Sequence, residues 1–222
     1  MNRAIIKHVS NSPVNLPEGK SGDWSIEHKV YPAGAKLDII NTRKAILNGL
    51  TPAALELTAP RTVHQLKYKN GVIMSDLPIE MMDHYEFYKA ANGHVLIGGL
   101  GLGCIASALT KKRSVKSITV IEKEDDVIKL VKPHVYKLSE DVYIYHADLF
   151  NYLKGNLDVF DTAYFDIWTG TNEGTWVSHV VPLRRLAAKS MPQTHVWCWA
   201  ERDMQGQIAG AWGGLNRAVT LR

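Results

Sequence analysis

Between His94 and Gly103 an apolar run breaks into a G-x-G-x-G turn, with glycines at 99, 101 and 103. Glycine alone takes the backbone conformations such a turn needs, and it leaves no Cβ between the chain and anything bound against it. Cys104 to Lys112 then reads as a helix whose first amides face the turn. Ser117 to Glu122 is a second apolar run ending in a carboxylate, 19 positions after Gly103 (122 − 103), close to the roughly 20 at which a strand-end acid meets a ribose. Glycine turns also serve strand-to-helix packing alone. The combination of strand, turn, helix, strand and terminal acid is what singles out a nucleoside-holding α/β fold.

Downstream of this unit the same alternation continues. Strands are expected at 94–98, 117–122, 142–146, 162–167 and 195–199, with helices beginning near Cys104, Asp125, Leu149 and Thr175. Alternating strands and helices predict a doubly wound, mostly parallel Rossmann-like sheet, with ligands at the carboxyl ends of the strands. Little chain follows His195, so either the sheet is abbreviated at its C-terminal end or the N-terminal hairpin completes the site instead. Residues 1–91 form an N-terminal extension, and 92–222 the Rossmann-like domain. Within the extension, two β-prone runs meet at Asn70-Gly71 between Val63 and Asp76, a strong β-hairpin signal. Pro78 to Ala91 reads as a helix with proline in its first turn. Residues 1–60 carry scattered prolines and poor periodicity, and read as short strands and loops around a helix at 42–48.

The chain's 222 residues suffice for one substantial core. Its formal charge of +4 is spread along the sequence, which permits a nucleic-acid partner without arguing for one. Two cysteines, Cys104 and Cys198, lie in apolar surroundings, as reduced core thiols do. No metal-ligand cluster stands out. The first residues lack a signal peptide's apolar core and no segment has the length of a membrane span, so a cytoplasmic protein without a membrane partner is expected. A homodimer is the expected assembly.

Three acids fall at successive strand ends. Glu122, with Lys123 beside it, is placed to hold a ribose. Asp148 precedes a helix, where its carboxylate either accepts from an adenine amine or caps the helix, and Leu149 and Phe150 follow to pack on a ring face. Asp166 closes an apolar strand, where an idle charge is costly, and is the first choice for the reaction centre. Trp168 and Trp176 either wall an acceptor pocket or pack in the core. The dinucleotide fingerprint would place its third glycine at position 104, where this chain has Cys104, so the turn fits S-adenosylmethionine (SAM) better than a dinucleotide.

The stretch from about Val63 to Ile167 resembles the spermidine synthase-like branch of class I SAM-dependent methyltransferases. The resemblance rests on the hairpin at 65–72, the loop at 95–103, Val120-Ile121-Glu122, His146-Ala147-Asp148 and the strand from Phe160 to Asp166. With Met74-Ser75-Asp76 and Tyr164 to Trp168 included, it is similar to a group of phage and bacterial proteins identified only as methyltransferases. The resemblance implies a class I fold and SAM as cofactor. It implies that Gly99, Gly101, Gly103, Glu122, Lys123, Asp148, Leu149 and Asp166 hold the cofactor, and that Asp76, Glu80, His84 and Trp168 face the substrate.

The departures are informative. Met74 stands where aminopropyltransferases carry glutamine, Asp83-His84 where they carry tyrosine-histidine, and Ile167-Trp168 follow Asp166 where they have a second Asp-Pro. The D-P-P-Y motif of amino-methylating nucleic-acid enzymes is absent as well. The leading expectation is therefore a methyltransferase of unnamed acceptor (small molecule, protein or nucleic acid), transferring the sulfonium methyl in line with Asp166 as base or orienting group. Aminopropyl transfer or another use of SAM, and a SAM-binding module without catalysis, are the alternatives.

Overall fold

The computed structural model describes residues 3–38, 54–155 and 158–208. The helix expected at 42–48 lies outside them. Tertiary contacts gather into two units that share the chain in alternation: Met1–Lys89, Leu100–Lys112 and Glu124–Glu140 form the first, and Ala90–Gly99, Arg113–Lys123 and Asp141–Arg222 the second.

In the first unit, helix α1 (Arg3–Asn11) precedes strands β1 (Gly19–Ser21), β2 (Trp24–Tyr31), β3 (Lys36–Asp38), β4 (Ala54–Glu56), β5 (Arg61–Tyr68) and β6 (Gly71–Ser75). Helices α2 (Pro78–Asp83), α3 (Tyr85–Ala90), α4 (Cys104–Thr110) and α5 (Asp125–Val135) complete it. Strands β1-β2-β5-β6 make a four-stranded sheet, with β2 and β5 antiparallel over their full length. Ile26 and Leu66, paired directly across β2 and β5, are buried on one face of this sheet, and Val63 is buried on the other.

The hairpin is where the sequence signal puts it, but its turn is one residue earlier than Asn70-Gly71. Gly71 already pairs with Tyr68, leaving Lys69 and Asn70 as the loop, and Lys69 takes the left-handed conformation at φ 54°. Helix α1 stands where the sequence pattern shows only loops and short strands. Its His8 is buried and donates from Nε2 to the Met81 carbonyl at 2.8 Å, and its terminal Asn11 carbonyl accepts from Ser107 Oγ and from Lys111 Nζ at 3.2 and 2.7 Å. Those partners are distant in sequence, so local patterning carries no trace of them. The single helix expected from Pro78 to Ala91 is two, broken at His84.

The second unit is the parallel α/β sheet that the alternation predicts. Strands β7 (Gly93–Gly98), β8 (Val115–Glu122), β9 (Val142–His146), β10 (Thr162–Phe165) and β11 (His195–Cys198) stand in the order β11-β10-β7-β8-β9, every neighbouring pair parallel. The chain runs outward from β7 through β8 to β9, then returns to the other side of β7 for β10 and β11. The strand order therefore reverses between β7 and β10, the crevice where open α/β sheets bind ligands. Helix α6 (Leu149–Gly155), a short helical turn (Glu173–Thr175), a π turn (Trp176–Val180) and α7 (Val181–Ser190) belong to this unit. One core joins them: Leu96, Leu153, Ala163, Phe165, Leu183 and Ala187 are each at most 1% exposed.

Beyond β11 the chain is helical over 201–208. Arg184 anchors that segment, donating from Nε to Glu201 Oε1 at 2.9 Å, from Nη2 to Glu201 Oε2, and from Nη1 to the Val196 carbonyl at 2.8 Å. Among the described residues the sheet has no antiparallel strand after β11, and no helix is long and apolar enough to cross a membrane.

Candidate functional site

In the second unit, the carboxyl edge of the sheet gathers most of the predicted residues. β7 ends in Gly98, which pairs with Ile121 on one side and Phe165 on the other. A Cβ on Gly98 would overlap the Leu149 side chain, and one on Gly99 would overlap the Asp166 carbonyl oxygen. Gly99 also has φ 96°, a conformation open only to glycine at low cost. The bend out of β7 is thus fixed by the protein's own close packing. The Asp166 amide donates to the Gly98 carbonyl at 2.9 Å, carrying the β7–β10 ladder past the strand end, and its side chain is half-buried.

Glu122 closes β8 opposite His146 and is 9% exposed, an expensive setting for a carboxylate. Lys123 beside it is exposed, its Nζ 3.9 Å from Asp148 Oδ2, an ion pair too open to water to hold much. Asp148 is an N-cap: Oδ1 accepts from the Asn151 amide at 3.0 Å, and its carbonyl accepts from Tyr152 at 2.9 Å. Leu149 lies in the core over Gly98. Trp168 belongs to the same core, and its indole N–H has no hydrogen-bond partner among the described residues. Trp176 is partly buried against that cluster.

In the first unit, Gly101 and Gly103 take φ 50° and 74°, and their Cβ directions are filled by Met74 and by Val135, so both are glycines by packing and by conformation. The Met74 sulfur also lies 3.2 Å from the Leu102 amide. Asp76 is 2% exposed and is held by His64, accepting from its amide at 2.8 Å and from Nδ1 at 2.6 Å. Glu80 accepts from the Ser75 amide at 2.7 Å and from the Ser75 hydroxyl, and burial pushes its pKa up. His84, which the resemblance sets toward the substrate, is buried between α2 and α3. Burial, with the nearby His8 charge, lowers its pKa to about 4, so it packs as a neutral ring. The thiol of Cys104 is pushed well above its ordinary range by burial, and that of Cys198 up to about 12 for the same reason, so both are inert core groups.

Among the described residues no cluster of metal-ligating side chains occurs. A concavity of the first unit lined by Glu18, Lys20, Asp23, Glu27 and Lys69 contains none of the candidate residues. Sequence reasoning misses the His64–Asp76 pair, though the hairpin register that sets Gln65 opposite Ser75 also sets His64 beside Asp76. It misses His179 as well, whose ring stands 6.3 Å from Trp168 and 6.4 Å from Phe150.

The sequence matches no protein-family model and no curated protein. Partial likeness to solved structures exists. A SAM-dependent methyltransferase from Thiobacillus denitrificans, in complex with S-adenosyl-L-homocysteine, is 18% identical at a TM-score of 0.42, over 52% of this chain and 46% of that one. A SAM-dependent methyltransferase from Geobacter sulfurreducens, in the same complex, is 18% identical at 0.41 over 52% and 46%. A precorrin 8w decarboxylase from Methanobacterium thermoautotrophicum is 14% identical at 0.36 over 48% and 53%. The chain spans about half the length of these proteins.

Proposed function

We propose that the carboxyl edge of the parallel sheet binds S-adenosylmethionine and that the protein is a SAM-dependent methyltransferase. The observation that carries this reading is the buried carboxylate of Glu122 at the tip of β8. A carboxylate at the carboxyl tip of the second strand of the sheet suits a ribose, whose two hydroxyls can both donate to it. Lys123 and Asp148 border it, and Asp148 caps α6 with Oδ1 while Oδ2, 3.9 Å from Lys123 Nζ, is the oxygen that would accept from an adenine amine. Gly99 and Asp166 flank the reversal point between β7 and β10, and Leu149 fixes the bend there.

The glycines do not carry the reading, because their Cβ directions meet protein and the fold demands them by itself. When bound, SAM supplies an already activated methyl group. The chain's share is to align an acceptor behind the methyl carbon and receive its proton, with Asp166 at the reacting end.

The test is incubation with methyl-labelled SAM and product identification by mass spectrometry. S-adenosylhomocysteine with a labelled acceptor is expected, and Asp166→Asn is expected to abolish its formation. Methylthioadenosine in its place would make the protein an aminopropyl-type or cleaving enzyme. Binding without turnover would make it a nucleoside-binding module.

A further inference from the structure

His179 lies on the π turn between the Glu173–Thr175 turn and α7. Pro182 accounts for the widened turn: it has no amide hydrogen, and its ring collides with the carbonyl four residues earlier, that of Ser178. Such turns recur at functional sites because they re-aim a side chain within an otherwise regular helix.

The hydrogen bonds around Ser178 fix the protonation pattern of the neighbouring imidazole. Ser178 Oγ is 2.6 Å from the Gly174 carbonyl oxygen and 2.7 Å from His179 Nδ1. A hydroxyl has one hydrogen, and a carbonyl can only accept. That hydrogen therefore goes to Gly174, since two bare oxygens would otherwise face each other at 2.6 Å. The hydroxyl lone pair is left for Nδ1, so Nδ1 carries a hydrogen and donates it. In the neutral ring Nε2 then holds the lone pair. Nε2 has no hydrogen-bond partner among the described residues, and it is not among the polar atoms sealed from water.

The surroundings tie this nitrogen to the sheet edge. The two aromatic rings nearest His179, Trp168 and Phe150, each follow a strand-end acid by two residues, Asp166 and Asp148. The imidazole is tilted 54° to the Trp168 ring and 58° to the Phe150 ring. Those two rings stand on segments that leave the carboxyl ends of β10 and β9, the edge to which the methyl-transfer reading assigns the acceptor.

We infer that His179 Nε2 takes the proton of the methyl acceptor, and that the acceptor is accordingly a hydroxyl or amine compound. This rests on the methyl-transfer reading above. The acceptor oxygen or nitrogen bonds the methyl carbon, and the carbon–sulfur bond breaks with its electron pair remaining on sulfur. The acceptor hydrogen passes to Nε2, and the imidazolium returns it to water. Asp166 then has the aligning role.

Nitrogen-15 NMR of the full-length chain, with His179→Gln to assign the ring, is expected to show Nδ1 protonated and Nε2 bare in the neutral imidazole. In Ser178→Ala the hydrogen is expected to move to Nε2. A hydrogen on Nε2 of the neutral ring in the wild type overturns the proposal, whether or not the chain binds SAM. Calorimetry with S-adenosylhomocysteine tests the underlying reading separately, and its affinity is expected to be the same in His179→Gln.

Turnover is then followed with methyl-labelled SAM and a panel of alcohols, phenols and primary amines. His179→Gln is expected to lower kcat by about 100-fold or more, with the label on oxygen or nitrogen. Undiminished kcat in that variant, no labelled product from any compound of the panel, or methyl found on carbon overturns the assignment.

Discussion

The backbone of Gly99 runs against the carbonyl oxygen of Asp166 so closely that no side chain fits between them. The two residues stand on either side of the point where strand order reverses, so the glycine turn's first duty is to let β7 and the end of β10 meet. Gly99→Ala must both displace that carbonyl and hold a left-handed φ. It is expected to cost at least about 2 kcal/mol in denaturant unfolding. Gly155→Ala, at a helical position with open space around it, is expected to be neutral or to gain about 0.5–1 kcal/mol.

Asp148 has a structural duty and a proposed binding one, and two substitutions separate them. Asp148→Ala removes the cap on α6 and is expected to destabilise by about 1 kcal/mol. Asp148→Ser restores a capping oxygen but no carboxylate. It is expected to unfold like the wild type and to bind S-adenosylhomocysteine more weakly. Equal affinity in Asp148→Ser would leave the residue as a cap alone.

His84 gives the first unit a pH dependence whose sign follows from burial. Its pKa falls from 6.5 in the unfolded chain to about 4 in the fold, because the charged ring is desolvated. The fold is penalised for binding that proton, so stability is full above pH 6.5 and declines as pH falls toward 4. The loss approaches about 3 kcal/mol once both states are protonated. His8, lowered likewise by burial, adds to the decline, whereas Glu80, raised by burial, opposes it. Unfolding curves between pH 7 and 4 are expected to show the fall, and His84→Gln is expected to flatten it.

Much of this architecture is legible in the chain, and the reasons differ by residue. The parallel strands announce themselves as apolar runs bounded by glycine or acid, with β9 at 142–146 as expected and the others within one or two residues. The acids of the edge are legible because a charge that closes an apolar run is costly to bury, and so marks a place where a polar group must meet it. Helix α1 is not, because its anchoring bonds go to Met81, Ser107 and Lys111, far along the sequence. The His64–Asp76 pair needs the hairpin register as well as the hairpin's existence. His179 needs more still, since its tautomer depends on the carbonyl of Gly174, and a carbonyl leaves no mark in a sequence. His84 enters the site only through the resemblance, and its burial between α2 and α3 becomes visible only once their packing is known.

The central claim is that the carboxyl edge of the parallel sheet holds the nucleoside of SAM, with Glu122 on the ribose. Isothermal titration of S-adenosylhomocysteine into the wild-type protein and into Glu122→Gln tests it most directly. The account predicts saturable binding to the wild type and a loss of about 1–3 kcal/mol of affinity in the variant, the worth of a charged acceptor at a buried site. Binding that is undiminished in Glu122→Gln, or absent from a folded wild-type protein, would contradict it.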